Sequence, residues 1–403
     1  MQPKVSFIIP CYNLAHFLGD CVNSILSQTY GDFEILIMDD CSPDNTPEVA
    51  AGFKDPRVIY IRNEPNLGHL RNYNKGIELA RGQYIWLISA DDCLRSRNVL
   101  EKFVEVLDQN PNVGYVFCPA MTLNKDGEEV GVEEVWIWPG YRDRILSGGD
   151  VVRRSAYRCA LISPTALVRK ELYTRVGGFP LDQPRTGDWY LWAVFAMTSD
   201  VGYFAEPMVC YRRHDTNMDK IMAEENPSFF FEQEMVCRWS MKKEAEQAGV
   251  RDIYPDFRRS LADVYTSRLV DNELTTGRKG CSWEIAIKEI RDNTSSEEDA
   301  EEILRLIRSG WSGKLALGQA RTGAWHYNEG RLDQAIIVFR SALKSNPWCI
   351  KSRIYLWVSR LERAIGIQMV PWLRLFKNTL LTSLRRIIRR SSILSSSYFY
   401  VGK

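Results

Sequence analysis

The 403-residue sequence predicts an α/β domain with a mostly parallel sheet, followed by an α-helical half. Short apolar runs alternate with helix-spaced apolar residues from Val5 to Cys118, that rhythm stops near residue 217, and Glu, Lys, Arg, Ala and Leu at helical spacing take over beyond it. A strand, helix, strand alternation forces right-handed crossovers and a parallel sheet covered by helices. A chain of this length exceeds one ordinary core, which fits two domains, 1–218 and 219–403.

Val5–Pro10 reads as the first strand. Phe17, Leu18, Cys21, Val22, Ile25 and Leu26 then recur at helical spacing, and Phe33–Met38 forms the second strand. Arg57–Ile61, a helix over Leu70–Ala80, Gln83–Ile88, a helix over Val99–Leu107 and Val113–Cys118 continue the alternation. In the later half, Gly323, Gly330, Ala335, Phe339, Ala342 and Pro347 take the relative spacing of one tetratricopeptide-like helix pair, a spacing that an ordinary helical hairpin also produces.

With 52 basic against 51 acidic side chains the net charge is +1, so no overall field draws nucleic acid, and none is expected as a partner. Ten scattered cysteines with no CxxC pair read as reduced thiols of a cytoplasmic protein, not as a zinc site. The apolar stretch Val5–Ile9 is too short for a signal segment, and no run of about 18 apolar residues predicts a membrane span. No GxGxxG follows the first strand and no GxxxxGK[ST] occurs, which argues against a dinucleotide-binding dehydrogenase and a P-loop enzyme.

In open α/β sheets, ligands sit beyond the carboxyl ends of the strands. There the sequence places Pro10-Cys11-Tyr12-Asn13, Asp39-Asp40-Cys41-Ser42 and Ser89-Ala90-Asp91-Asp92. Asp91-Asp92 follows the apolar Tyr84–Ile88, and two carboxylates at the end of a buried strand repel and lose hydration. Mn²⁺ or Mg²⁺ shared with diphosphate oxygens would compensate them. A helix N-cap is the plainer reading of this pair. A turn with a cap is the plainer reading of Asp39-Asp40, although a carboxylate there also suits the N3–H of uracil or thymine.

Taken in order and spacing, Val5–Asn13, Asp39–Ser42, Asn66-Leu67-Gly68 with Asn74-Lys75-Gly76, and Ala90-Asp91-Asp92 resemble the signature of glycosyltransferase family 2, which has a GT-A fold. The resemblance continues through Gly177-Gly178-Phe179, Gly187–Trp192 and Tyr211–His214, and so covers about residues 4–216. It implies an inverting transferase moving a sugar from a nucleotide-diphosphate donor, a UDP-sugar in the first instance, to a hydroxyl in glycan or polysaccharide synthesis. It implies further that Pro10, Tyr12, Asn13 and Asp40 hold the uracil end, that Asp91 holds ribose or diphosphate, and that Asp92 holds the metal. Asp188 matches the catalytic base, which takes a proton from the acceptor hydroxyl. A helix N-cap is the alternative for Asp188. His214 is a candidate diphosphate or metal contact, or a structural histidine.

Ser89 and Gly187 stand where many members carry an additional Asp and a Glu, and Tyr73 stands where Arg is frequent, with Arg71 close by as a substitute. Leu373, Phe376, Leu380, Leu384, Ile387 and Ile388 recur at helical steps among arginines, so residues 370–390 read either as a peripheral helix on the inner face of an anionic membrane or as a helix packed on its own domain. Membrane contact would suit a lipid-linked glycan acceptor. The competing expectation is a catalytically idle scaffold whose helical half binds a partner protein. Retention of four acidic groups on one sheet edge argues against it. A third, nucleotidyl transfer, lacks a Gly-rich, Lys/Arg-bearing loop after the first strand.

Overall fold

The computed structural model describes residues 2–133, 142–159, 161–218, 220, 222, 227–275 and 281–365. The membrane-facing reading of 370–390 therefore falls outside the described residues, as does part of the loop region after residue 133. The chain divides into two compact units, Met1–Val264 and Tyr265–Lys403.

The first unit runs β1 (Val5–Cys11), α1 (Ala15–Leu26), β2 (Phe33–Asp39), α2 (Thr46–Gly52), β3 (Val58–Arg62), α3 (His69–Leu79), β4 (Tyr84–Leu87), β5 (Cys93–Leu94), α4 (Val99–Gln109) and β6 (Val113–Phe117). There follow β7 (Ala120–Leu123), β8 (Glu129–Glu133), β9 (Arg144–Leu146), α5 (Gly148–Ser155), β10 (Ala166–Arg169), α6 (Lys170–Val176), α7 (Gly187–Ala196), β11 (Asp200–Tyr203), β12 (Val209–Arg212) and α8 (Pro227–Gln247).

Eight strands form the main sheet in the order β3-β2-β1-β4-β10-β6-β11-β9. The expected parallel core is present in β3, β2, β1 and β4. β10 enters antiparallel between β4 and β6, and β9 closes the far edge antiparallel to β11. Both faces are covered, which explains why β1 and β2 are apolar at every other step to each side. Phe7, Ile9, Ile35, Ile37 and Trp86 pack toward α1 and α4, while Ile8, Leu36, Met38 and Ile85 pack toward α3 and α7. Trp86 stacks between Phe7 and Phe103, with ring centroids 5.5 and 4.8 Å away.

A second, four-stranded sheet, β5-β12-β7-β8, was not foreseen. Its first strand has two residues and β8 is exposed, so neither leaves a periodic apolar signal. It carries β12 back to the end of β4.

The compact unit extends past the expected 218/219 boundary because α8 is packed on α7. Arg238 lies 4.6 Å over the Trp189 ring and donates to the Tyr157 carbonyl, and Tyr190 Oη donates to Glu244. The second unit takes up α9 (Tyr254–Leu274), which crosses the division, then α10 (Trp283–Asn293), α11 (Glu297–Asn328), α12 (Leu332–Ser345) and α13 (Ile350–Ile365). The six-residue pattern predicted from sequence falls on the α11–α12 hairpin and the turn after it. Ala335, Phe339 and Ala342 are fully buried, and a Cβ at Gly323 would stand 2.7 Å from the Phe339 ring, so glycine sets this close crossing. No helix among the described residues is long and apolar enough to cross a membrane.

Candidate active site

The site forms where β1, β2 and β4 end. The Asp40 N–H donates to the Cys11 carbonyl at 2.9 Å and the Ala90 N–H to the Pro10 carbonyl at 3.2 Å, which draws the three strand ends together. Asn13 and Cys41 adopt left-handed backbone, φ 57° and 63°, unusual for residues with a side chain and held by the surrounding bonds. Asn13 N–H donates to Ser42 Oγ, and Ala15 N–H to Asp44. Tyr12 projects from this turn with 53% of its surface exposed.

Asp39 and Asp40 differ in task. Asp39 accepts from Ser42 N–H, Tyr60 Oη and Arg62 Nη1. Burial alone would raise its pKa, but these bonds outweigh it and hold the carboxyl below its ordinary value. Asp40 accepts from Asn63 Nδ2 and Leu67 N–H on Oδ1, and from Gly68 N–H on Oδ2, at 2.8–2.9 Å. Three of about four acceptor positions are thus occupied by the protein itself. Asn63 also donates to Asn72 Oδ1, Asn72 donates to the Met38 carbonyl, and Lys75 donates to Asn63. Asn63 and Asn72 leave no mark in the sequence, because lone asparagines carry no spacing signal.

Asp91 and Asp92 are 7% and 2% exposed and cap no helix; α4 begins after Asn98. Asp92 Oδ1 accepts the main-chain N–H of Arg212 at 3.0 Å. Burial, and then the charge of Asp91, push the Asp92 carboxyl well above its ordinary pKa. Asp91 Oδ2 lies 2.9 Å from His214 Nε2 and 3.4 Å from Asn217 Nδ2, whereas its Oδ1 is buried with no hydrogen-bond partner. Leaving such an oxygen unpaired costs about 1–3 kcal/mol or more.

Two further residues, absent from the sequence prediction, organise this corner. Arg212 is 4% exposed, donates through Nε to the Asp91 carbonyl, and lies 4.7 Å over the Phe17 ring. Asn217 accepts the His214 N–H at 2.6 Å and donates to the Arg212 carbonyl at 3.1 Å. Arg212 stood inside the Tyr211–His214 motif with no role assigned to it, and Asn217 only three residues beyond.

Asp188 comes from elsewhere, in the first turn of α7 behind the N-cap Thr186, and accepts from the Trp189 N–H at 2.7 Å. It is half-buried, near Tyr173 and Cys237, whose pKa values are raised first by burial and further by its charge. The loop ahead of it is pinned to α3. Asn74 Nδ2 donates to the Phe179 carbonyl and its Oδ1 accepts the Phe179 N–H, while His69 Nε2 lies 2.8 Å from the Pro184 carbonyl oxygen. Gly178 has φ +85°, and a Cβ there would stand 2.5 Å from Asn74 Oδ1. The Asn74 and Gly178 motifs therefore fasten the Asp188 loop to the helix that follows the Asp40 clamp. Arg71 is exposed on α3.

Residues 6–167 match the family model described as Glycosyl transferase family 2. Glycosyltransferase GlyG of Streptococcus pneumoniae serotype 4 is 26% identical over 284 residues, 67% of this chain and 83% of that protein. Uncharacterized protein MT1568 of Mycobacterium tuberculosis is 30% identical over 236 residues, 55% of this chain and 71% of that protein. The crystal structure of S. aureus TarS 1–349 in complex with UDP is similar with a TM-score of 0.53 at 15% identity, over 91% of this chain and 94% of that one. The same protein in complex with UDP-GlcNAc gives 0.54 at 14% identity, over 90% and 92%. At these identities the likeness is one of fold.

Proposed function

This chain belongs to glycosyltransferase family 2, and on that premise we propose that it transfers a sugar from a UDP-sugar to a hydroxyl of a glycan or lipid-linked glycan, with inversion at the anomeric carbon. The observation that carries this reading is the buried Asp91–Asp92 pair beside His214, with one carboxylate oxygen left without a partner. UDP and UDP-GlcNAc in the TarS structures support the choice of donor.

The donor set fits a divalent cation. Asp91 Oδ1 lacks a partner, Asp92 is desolvated against a like charge, and His214 adds a nitrogen, a combination suited to Mn²⁺ or Mg²⁺. Among the described residues no group of three His, Cys, Asp or Glu side chains is arranged to hold a metal ion, so Asp91, Asp92 and His214 would bind one only together with diphosphate oxygens. Bound there, the cation would neutralise charge growing on the leaving diphosphate. Tyr12 and the Pro10–Asn13 turn offer a surface to the base, Asp40 has one acceptor position left for a pyrimidine N3–H, and Arg71 offers positive charge to the phosphates. Asp188, in the first turn of α7, takes the proton from the acceptor hydroxyl.

Calorimetric titration of UDP and GDP, with and without MnCl₂, tests the donor site. UDP binding that depends on the cation and exceeds GDP binding is expected. Equal binding of both nucleotides, indifferent to Mn²⁺ and to Mg²⁺, would contradict it.

A further inference from the structure

Cys93 and Cys210 face each other across the strands that bring the acidic pair to its arginine. Cys93 directly follows Asp92 and opens β5, Cys210 lies two residues before Arg212 in β12, and the two are register partners. Arg95 N–H donates to the Met208 carbonyl at 2.8 Å, so 95/208 is a hydrogen-bonded pair, and two residues along each strand Cys93/Cys210 occupies the same type of position. Cα atoms in such pairs lie about 5.5 Å apart, within the roughly 4.4–6.8 Å that a disulfide spans. Both thiols are free. Cys93 is half-buried, within reach of a small oxidant, whereas Cys210 is buried.

We infer that Cys93 and Cys210 form a reversible dithiol–disulfide site that couples oxidation to the nucleotide-holding edge of the sheet. With hydrogen peroxide as oxidant, the Cys93 sulfur attacks one peroxide oxygen, the O–O bond breaks, and a sulfenic acid and water result. The Cys210 sulfur then attacks the sulfenic sulfur, the S–S bond forms, and the hydroxyl leaves as a second water. Two thiols lose two protons and two electrons, and peroxide is reduced to two waters. A reducing dithiol reverses the step by exchange through a mixed disulfide.

An S–S bond of about 2.05 Å is shorter than any thiol–thiol hydrogen bond, so oxidation draws β5 toward β12. The pull acts beside Asp92, whose Oδ1 is bonded to the Arg212 N–H. Oxidation therefore weakens nucleotide binding, about fivefold or more, a coupling of ordinary size. That effect rests on the proposed function; the cross-link does not.

The test treats the full chain with hydrogen peroxide, alkylates remaining thiols, digests without reduction and maps cysteines by mass spectrometry, with UDP titrated in MnCl₂ before and after. A Cys93–Cys210 peptide that vanishes with dithiothreitol, and a UDP Kd that rises about fivefold and recovers, are expected. Cys93→Ser and Cys210→Ser should each resist both changes. Recovery of Cys93 unlinked to Cys210 in oxidised protein overturns the site, and a complete cross-link with unchanged UDP affinity overturns the coupling. A reduced protein that binds no UDP yet forms the cross-link supports the disulfide site and contradicts the proposed function instead.

Discussion

His214 Nε2 lies 2.9 Å from Asp91 Oδ2, joining the loop after β12 to the end of β4 across 123 residues of sequence. The other oxygen of that carboxylate is buried without a partner, and the adjacent Asp92 carries a raised pKa from burial and from Asp91. The ligand-free protein thus holds two crowded carboxylates at a cost to its own stability. Strain of this kind is retained where a ligand relieves it.

Replacing Asp92 by Asn removes one of the two repelling charges while keeping an oxygen for the Arg212 N–H. The ligand-free variant is expected to melt at or above wild type, by roughly 2–4 °C for each kcal/mol relieved, while UDP with Mn²⁺ no longer raises its melting temperature. A variant that melts lower and keeps the UDP shift would sink this reading.

Asn74→Ala removes both bonds to Phe179 that hold the loop ahead of Asp188. A loss of about 1–3 kcal/mol in stability is expected, and transfer should slow with little change in UDP affinity, because the lost bonds lie on the Asp188 side. Gly178→Ala, strained by φ +85° and by the Asn74 contact, should show the same split. Weakened UDP binding with unaltered turnover would contradict it. Calorimetry with UDP and an initial-rate assay separate the two.

Glu34 is 2% exposed and accepts from Ser6 Oγ at 2.6 Å and from Arg81 N–H and Nε at 2.7 Å. Burial by itself raises its pKa, but the Ser6 and Arg81 bonds prevail and lower it from the ordinary 4.5. A lowered folded value means that its stabilisation is present above 4.5 and drains away as pH falls through the folded value. Glu34→Gln should therefore cost about 1–3 kcal/mol near neutral pH, and the gap to wild type should close in acid. Melting curves across that range check this; a gap independent of pH would exclude the carboxylate as its source.

The legible part of the fold was the part with period. β1, β2 and β4 are buried on both faces and wrote continuous apolar runs, and their ends displayed Asp40 and Asp91-Asp92 as polar residues where a buried strand stops. The apolar run Met208–Tyr211 marked β12 as a strand, but the antiparallel β10, the strands β5, β7 and β8 and the pairing of the small sheet were not legible, since two- to five-residue strands pair by long-range register. The same holds for the site. The carboxylates stood out by chemistry, whereas Asn63, Asn72, Arg212 and Asn217 act through buried hydrogen bonds to main-chain and side-chain atoms distant in sequence. Asn74 and Gly178 were visible as motif residues, and the structure assigns them to holding a loop.

Asp188 is the proposed base in transfer from a nucleotide sugar. The most direct measurement incubates wild type and Asp188→Asn with a panel of UDP-, dTDP- and GDP-sugars, Mn²⁺ or Mg²⁺ and a glycan acceptor. Released nucleotide is quantified, and the anomeric configuration of the product is read by NMR. The account predicts release from a UDP-sugar, a product of configuration opposite to the donor, and a rate about 10²- to 10⁴-fold lower for Asp188→Asn with UDP affinity unchanged. Equal release by both proteins, or retained configuration, would contradict it.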